Sequence, residues 1–265
     1  MYANFYGLKT LPFNITSNPG FFFESTSHKE ALSCLLYGIS SKTGLMLITG
    51  EVGTGKTTLC KTLVSKLPPE VKTSFILNPC FSDVQLLCAI IEDFGLNLFK
   101  KNRLEIIKKL NGFLVDINSK GGNAVLIVDE AQNLNARQLE QIRLLSNLET
   151  SQEKLLQIIL VGQPELKAKL DQFNLRQIRQ RICVKHDILP LAETEVRDYI
   201  EFRLKLAGEP NIEILPESYN LIYEFSKGVP RLINALCDRA LLYGFVKEKK
   251  VFDCEIFKAC MEELK

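Results

Sequence analysis

Short apolar runs alternate with longer amphipathic stretches between residues 45 and 190. The short runs carry few charges, which is typical of strands buried on both faces of a sheet. The predicted strands are Leu45–Thr49, Ser74–Asn78, Ala124–Asp129, Leu156–Val161 and Ile182–Ile188. The predicted helices between them are residues 56–67, 83–95, 102–119 and 135–149. Strand and helix in regular alternation predict an α/β fold, with a parallel sheet covered by helices on both faces.

Beyond Glu193 the pattern becomes helical, and no further strand is predicted. The predicted helices are residues 193–207, 216–227, 230–247 and 253–264. Glycine and proline at 208–210 and at 228–230 mark the breaks between them. We therefore predict two domains. The main domain covers residues 1–190 and includes an apolar N-terminal strap, and a smaller helical domain covers residues 191–265, with a hinge near Pro190.

The composition is that of a globular protein, because 46% of the 265 residues are apolar and 24% are charged. The 33 lysines and arginines nearly balance the 31 aspartates and glutamates. This balance argues against a strongly electrostatic partner. The eight cysteines include no C-x-x-C pair, and unpaired thiols favour a reducing, cytoplasmic compartment. The chain also lacks a signal peptide and any run of about 20 apolar residues, so no membrane span is predicted, and any membrane association is expected through partners.

One segment has the spacing of a phosphate-binding loop. Residues Gly50–Thr58 contain G-x-x-x-x-G-K-T, directly after the strand LMLIT and at the start of the helix TTLCKTLVSKL. The glycines let backbone N–H groups turn toward phosphate oxygens at a helix N-terminus. Lys56 is expected at the β- and γ-phosphates of ATP, and the Thr57 hydroxyl at Mg²⁺. The predicted nucleotide-binding residues are Gly50, Glu51, Val52, Gly53, Thr54, Gly55, Lys56, Thr57 and Thr58. The alternative is a glycine-rich turn in another kind of α/β protein.

The strand near residue 125 ends in two adjacent carboxylates, Asp129 and Glu130. Because successive strand side chains point in different directions, the two acids can take different roles. Asp129 is expected to hold Mg²⁺ through water, and Glu130 to orient and activate the water that attacks ATP. The alternative is a strand that ends in solvated acids.

Three further polar residues are candidates for the same site. Asn78 is predicted to end the second strand, where its side chain would hydrogen-bond Glu130. Gln163 follows the fourth strand, where it would contact the γ-phosphate or the water. Arg231 opens a helix of the smaller domain and would reach the phosphates. A turn-forming role is the alternative for Asn78 and Gln163, and a surface position is the alternative for Arg231.

Three arginines lie just before the fifth predicted strand, at Arg176, Arg179 and Arg181. A guanidinium placed against a neighbouring subunit's γ-phosphate neutralises transition-state charge, an effect of about 10³–10⁵ in rate. We predict that Arg179 or Arg181 is such a finger. Since a finger of this kind acts between subunits, a homo-oligomer is expected. The alternative is a solvated helix face.

With these landmarks placed, the chain resembles the secretion ATPase family named for general secretion pathway protein A. The segments that carry the resemblance are FYGLKTLPF at 5–13, GEVGTGKTTL at 50–59, VDEAQNL at 128–134, IRLLSNLET at 142–150, LVGQPEL at 160–166, RQIRQRI at 176–182 and GVPRLIN at 228–234. The resemblance implies an AAA+ ATPase with sheet order 5-1-4-3-2 and a helical lid. It also implies that the segment 5–13 packs near the adenine. Family members often continue into a transmembrane helix and a periplasmic peptidoglycan-binding domain. These 265 residues contain no match to either element, so direct peptidoglycan binding is not expected of them.

The sequence is compatible with two functions. The favoured hypothesis is a motor or switch that hydrolyses ATP and helps to assemble an envelope secretion or export machine, with a protein partner. The alternative is a DNA-associated ATPase regulator of the transposition type, which would need a basic surface. The candidate basic runs are residues 100–103, 108–109 and 247–250. These runs are short and interrupted by acids, so DNA is not favoured.

Overall fold

The computed structural model describes residues 2–98, 102–208 and 210–264. Within these residues, seven strands occur in chain order: β1 (Leu45–Gly50), β2 (Val71–Ile76), β3 (Asn123–Val128), β4 (Gln157–Gly162), β5 (Ile182–Ile188), β6 (Glu213–Ile214) and β7 (Val251–Phe252). The α-helices are α1 (Tyr2–Tyr6), α2 (Thr26–Ser40), α3 (Lys56–Lys66), α4 (Asp83–Asp93), α5 (Arg103–Ser119), α6 (Ala136–Leu145), α7 (Pro164–Leu170), α8 (Arg176–Arg179), α9 (Glu193–Leu206), α10 (Pro216–Ser226), α11 (Pro230–Val246) and α12 (Cys254–Glu263). No described helix is long and apolar enough to cross a membrane.

The described structure divides into two compact units. The sheet unit comprises Ser27–Val52 and Leu59–Ile188. The helical unit comprises Met1–Thr26, Gly53–Thr58 and Leu189–Lys265. The predicted division at residue 190 assigns the N-terminal strap to the main domain, whereas in this structure the strap belongs to the helical unit.

The sheet unit is built on a five-stranded sheet in the order β2-β3-β4-β1-β5, and every pairing is parallel. This order confirms the predicted 5-1-4-3-2 arrangement. All six residues of β1 and all six of β4 are buried, as continuous apolar runs in the middle of a sheet require. Leucine, isoleucine and valine side chains of the strands and helices form one aliphatic core.

The second strand, β2, begins three residues earlier than its apolar pattern predicts, at Val71 and not at Ser74. Its pairing with β3 begins at Val71 and runs in register to Ile76. Because β2 is an edge strand, residues Val71–Thr73 remain partly or fully exposed and do not look apolar in sequence. Asn78 therefore lies two residues beyond the end of this strand, not at its end.

The helical unit has its own core, which is rich in aromatic rings. Tyr6 and Phe13 of the N-terminal segment are buried there with Tyr199, Phe252 and Phe257. The segment enters this core because its rings find aromatic partners, such as Phe245, whose ring centroid lies 5.4 Å from that of Phe5 in an edge-on arrangement. The prediction of no strand after Glu193 is wrong, since β6 and β7 form a two-stranded parallel sheet.

Candidate active site

The loop between β1 and α3 takes the backbone shape that its glycines allow. Gly53 has φ +83° and Gly55 has φ +94°, a left-handed region that favours glycine. Helix α3 then begins at Lys56, whose side chain is buried together with that of Thr54. Successive N–H groups in left-handed turns before a helix form an anion-binding concavity. The residues of this loop therefore fit a phosphate group.

Arg231 packs directly against the same loop. Its backbone N–H donates a hydrogen bond to the carbonyl oxygen of Gly53, with an N···O distance of 3.2 Å. A Cβ atom on Gly53 would lie 2.6 Å from Cβ of Arg231 and 3.2 Å from a methyl carbon of Val229. Gly53 is thus needed for two reasons, its positive φ and the close approach of α11. The structure places Arg231 beside the loop, and its predicted reach to the phosphates stays a prediction.

The two acids at the end of β3 take different orientations. The Asp129 N–H donates to the carbonyl oxygen of Ile76 on β2, at 2.8 Å, so Asp129 continues the strand by one residue. Glu130 departs from the strand, with φ +51° and ψ +36°. Its N–H donates to Oδ1 of Asp129 at 2.9 Å. A left-handed conformation is uncommon for a residue with a side chain, and such strain is concentrated at functional sites.

Two glutamine side chains bind the carboxylate of Glu130. Gln163 Nε2 donates to Oε2 of Glu130 at 3.3 Å, and Gln132 Nε2 donates to the same oxygen. Gln163 is N-terminal to α7, directly after β4, so the carboxyl ends of β3 and β4 supply the acid and its partner. The sequence placed Gln163 at this site but did not single out Gln132. The only signal for Gln132 was its position in the segment VDEAQNL.

Asn78 has a different partner from the one expected. Its Oδ1 accepts a hydrogen bond from Sγ of Cys80 at 3.1 Å. Within the described residues, the side chains hydrogen-bonded to the Glu130 carboxylate are Gln132 and Gln163. The hydrogen bond predicted between Asn78 and Glu130 is therefore not formed, because the chain has left β2 two residues earlier.

The end of β1 is tied to β5 by a charged cluster within the sheet unit. Thr49 pairs with Asp187 in register, and its hydroxyl donates a hydrogen bond to the Asp187 carboxylate. Lys167 Nζ lies 2.9 Å from the other oxygen of the same carboxylate. The hydrogen bond from Thr49 and the ion pair with Lys167 together hold the pKa of Asp187 below its usual range. Asp187 consequently stays charged and keeps the two strand ends together.

The arginines before β5 lie on and after α8. Arg179 forms an ion pair with Asp171, with a 3.1 Å N···O distance, and both side chains are about half exposed. The Arg176 guanidinium lies over the ring of Phe173, 4.6 Å from its centroid. Arg181 lies two residues beyond the end of α8. It contributes to the lowered pKa of Glu140, which is held down first by a hydrogen bond from Arg143. Exposed ion pairs contribute about 0–1 kcal/mol, so the Arg179 guanidinium can exchange Asp171 for another anion.

Comparisons with known proteins agree with this architecture. A family model described as AAA domain matches residues 39–170. The general secretion pathway protein A of Aeromonas hydrophila is 44% identical over 248 residues, covering 93% of this chain and 45% of that protein. This chain therefore spans about half the length of the curated relative.

Solved structures with the same fold include two AAA+ proteins. The ADP form of the Aeropyrum pernix ORC2 protein aligns with a TM-score of 0.68 at 16% identity, covering 91% of this chain and 68% of that chain. The Thermotoga maritima RuvB Holliday junction branch migration motor aligns with a TM-score of 0.61 at 19% identity, covering 89% of this chain and 68% of that chain. At this identity the likeness concerns the fold. The chain therefore carries an AAA domain and, over 93% of its length, is a homologue of general secretion pathway protein A.

Proposed function

We propose that this protein is an ATP-hydrolysing motor or switch that helps to assemble an envelope secretion or export machine. The observation that carries the proposal is its 44% identity, over 93% of its length, to a general secretion pathway protein. The local geometry of the phosphate-binding loop supports the ATPase part, since Gly53 and Gly55 adopt left-handed backbone conformations directly before α3.

The proposed nucleotide-binding residues are those of the loop 50–58. Backbone N–H groups of the loop donate to phosphate oxygens, and the Lys56 ammonium neutralises the β- and γ-phosphates. The Thr57 hydroxyl and the Asp129 carboxylate are the groups that would hold Mg²⁺, Asp129 through water. When bound, Mg²⁺ would supply positive charge that stabilises the charge developing on the phosphates. Arg231, packed on Gly53, adds a cation that reports the state of the phosphates to α11.

Glu130 is the proposed general base. One carboxylate oxygen takes the proton of the attacking water, and Gln163 donates a hydrogen bond to the other oxygen. Asn78 stays a weaker candidate, because in this structure it bonds Cys80.

The first test separates ATP binding from hydrolysis. Lys56→Ala should weaken ATP binding, because a phosphate-neutralising cation is lost. Glu130→Gln should bind ATP normally and lose about 10²–10⁴ in kcat, because an amide cannot accept the proton of water. Calorimetry with a non-hydrolysable analogue and a phosphate-release assay measure the two quantities. Equal losses of ATP affinity in both variants would show that the roles are misassigned.

The second test concerns the finger and the oligomer. Arg179→Ala or Arg181→Ala should bind ATP and hydrolyse it poorly. Mixing the affected variant with Glu130→Gln should restore part of the activity, because some mixed interfaces pair an intact finger with an intact base. Arg176→Ala, on the same helix, serves as the control and should keep full activity. A monomer that is fully active at every protein concentration contradicts this proposal.

The third test asks whether the partner is a protein or DNA. Lys100 and Lys101, in the first basic run, lie outside the described residues; Lys247, Lys249 and Lys250 are exposed. We expect weak duplex binding at physiological salt that nucleotide barely changes, and ATPase stimulation by a protein of the same secretion or export system. A protein that contacts six to ten phosphates loses about 10³–10⁵ in affinity between about 50 and 200 mM salt. Submicromolar, ATP-dependent duplex binding at physiological salt would favour the transposition-type function instead.

A further inference from the structure

The carboxylate of Glu130 is held asymmetrically. Both glutamine donors, Gln132 Nε2 and Gln163 Nε2, bind the same oxygen, Oε2. In the part of the chain that the structure describes, no side chain donates a hydrogen bond to Oε1. One oxygen is therefore fixed by the protein, and the other is left to accept a hydrogen bond from water.

Gln132 is itself held at both ends of its amide. While Nε2 donates to Glu130, Oε1 accepts a hydrogen bond from the backbone N–H of Gln163 at 3.1 Å. The carbonyl oxygen of Gln132 accepts a hydrogen bond from Lys169 Nζ, which also donates to the carbonyl oxygen of Leu134 at 3.0 Å. These contacts fix the backbone and the side chain of Gln132 together.

Gly162 provides the space that this arrangement needs. A Cβ atom at residue 162 would lie 2.7 Å from Oε1 of Gln132 and 2.8 Å from a methyl carbon of Leu166. Gly162 is the last residue of β4, a fully buried strand, so its backbone has little freedom to move away. The absence of a side chain at residue 162 is therefore what lets the Gln132 amide reach both Gln163 and Glu130.

We propose that Gln132 is a positioning residue for the general base, fixing Oε2 of Glu130 so that Oε1 faces the attacking water. This inference rests on the proposed ATPase function and extends it. Glu130 Oε1 takes one proton of the water whose oxygen bonds to the γ-phosphorus. The bond from that phosphorus to the β–γ bridging oxygen breaks, and ADP leaves with the electron pair.

Two substitutions at residue 132 separate positioning from support of the loop. Gln132→Met keeps the size of the side chain and removes both hydrogen bonds. Gln132→Glu keeps an acceptor for the Gln163 N–H and replaces the donor to Glu130 by a second carboxylate. Because misplacement of a catalytic group by about 1 Å lowers rates by about 10²-fold, both variants should lose about 10–10² in kcat. The KM for ATP should change by less than about twofold, since only the orientation of the base is altered.

The experiment measures kcat and KM for wild type, both variants and each variant combined with Glu130→Gln. The expected result is a loss in the wild-type background and no further loss in the Glu130→Gln background, because the two residues act as one unit. Any one of three results would overturn the positioning role. These are a wild-type rate for Gln132→Glu, a kcat above that of wild type for either variant, and an equal loss of kcat in the wild-type and Glu130→Gln backgrounds. If wild type and Glu130→Gln show the same phosphate release, the proposed ATPase function fails first, and this inference fails with it.

Discussion

Each of the two units has its own core, and the two cores differ in composition. The sheet unit buries aliphatic side chains almost exclusively, on strands whose apolar runs are continuous. The described part of the helical unit buries five aromatic rings and, among them, the charged side chain of Arg203. The first core consists of regular layers, whereas the second depends on individual contacts between segments far apart in the chain.

Arg203 shows how specific the second core is. Its guanidinium donates hydrogen bonds to the carbonyl oxygens of Pro12, at 2.6 Å, and Asn14, at 3.2 Å. It also donates to the hydroxyl of Tyr199 at 2.8 Å, and that hydroxyl donates in turn to Asn234 at 2.8 Å. These bonds join residues up to 191 positions apart. Because Asn234 and Arg231 lie on α11 together, the same network connects the helix that contacts the phosphate-binding loop to the N-terminal segment.

The largest effect that we predict is for Gly228→Ala in the helical unit. Gly228 has φ +75°, and an added Cβ would lie 2.0 Å from the carbonyl oxygen of Leu191. Since neither backbone can yield, we expect the free energy of unfolding to fall by more than about 4 kcal/mol. Gly7→Ala is the matched control, because Gly7 has φ +74° and nothing lies within 4 Å of its added Cβ. The control should lose only about 1–2 kcal/mol in urea denaturation, and equal losses would show that the contact with Leu191 is unimportant.

The second-largest predicted effect is that of Leu126→Ala, which tests the aliphatic core of the sheet unit. Leu126 lies on β3, between β2 and β4, and is fully buried. Leu126→Ala should lower the free energy of unfolding by about 3–4 kcal/mol, through lost transfer energy and the cavity left behind. Leu104→Ala is the control, because Leu104 is 64% exposed and its truncation should change stability by less than about 0.5 kcal/mol. A small loss for Leu126→Ala would mean that this core rearranges to fill the space.

The same difference explains which parts of the fold were predictable from sequence. The strands β1, β3 and β4 are predicted to within one residue, because strands buried on both faces give uninterrupted apolar runs. The edge strand β2 is misplaced because one of its sides meets solvent. The two-residue strands β6 and β7 were missed, since strands this short leave no periodicity to detect.

The candidate site shows a similar limit. Lys56, Asp129 and Glu130 were predicted because each lies in a contiguous motif with a known chemical use. Gln132 was missed, although it is only two residues from Glu130, because nothing in the sequence says which glutamine faces a carboxylate. That information arises only where β4 brings Gln163 beside β3.

Arg203→Met tests the hydrogen-bond network in the core of the helical unit. The methionine keeps much of the apolar volume and removes the hydrogen bonds to Pro12, Asn14 and the Tyr199 hydroxyl. We expect a loss of about 2–3 kcal/mol, because hydrogen bonds from a charged group contribute about 1.5–3 kcal/mol each and Asn14 can be resolvated. Hydrogen exchange should rise in the N-terminal segment first. Arg197→Met on the same helix is the control, since Arg197 pairs with Glu201 at the surface and should contribute less than about 1 kcal/mol.

The smallest effect is expected for Tyr6→Phe, and its pH dependence is the informative part. The Tyr6 hydroxyl donates to the carbonyl oxygens of Leu241, at 3.1 Å, and Lys249, at 3.2 Å. At pH 8 the variant should be about 1 kcal/mol less stable than wild type, the usual contribution of such a hydrogen bond. Urea denaturation of both proteins, followed in parallel, measures the difference.

Burial raises the pKa of Tyr6 from about 10 to about 12. A raised pKa means that the folded state favours the neutral hydroxyl, so this stabilisation is fully present below pH 10 and is lost as pH rises toward 12. Because each pKa unit corresponds to about 1.4 kcal/mol, the advantage of wild type over Tyr6→Phe should disappear about one pH unit above 10. Tyr199, the other buried tyrosine of the described residues, is present in both proteins, so its contribution cancels in this difference. A constant advantage up to pH 12 would show that the Tyr6 hydroxyl is solvated, and that the N-terminal segment is held in the aromatic core less tightly than its contacts indicate.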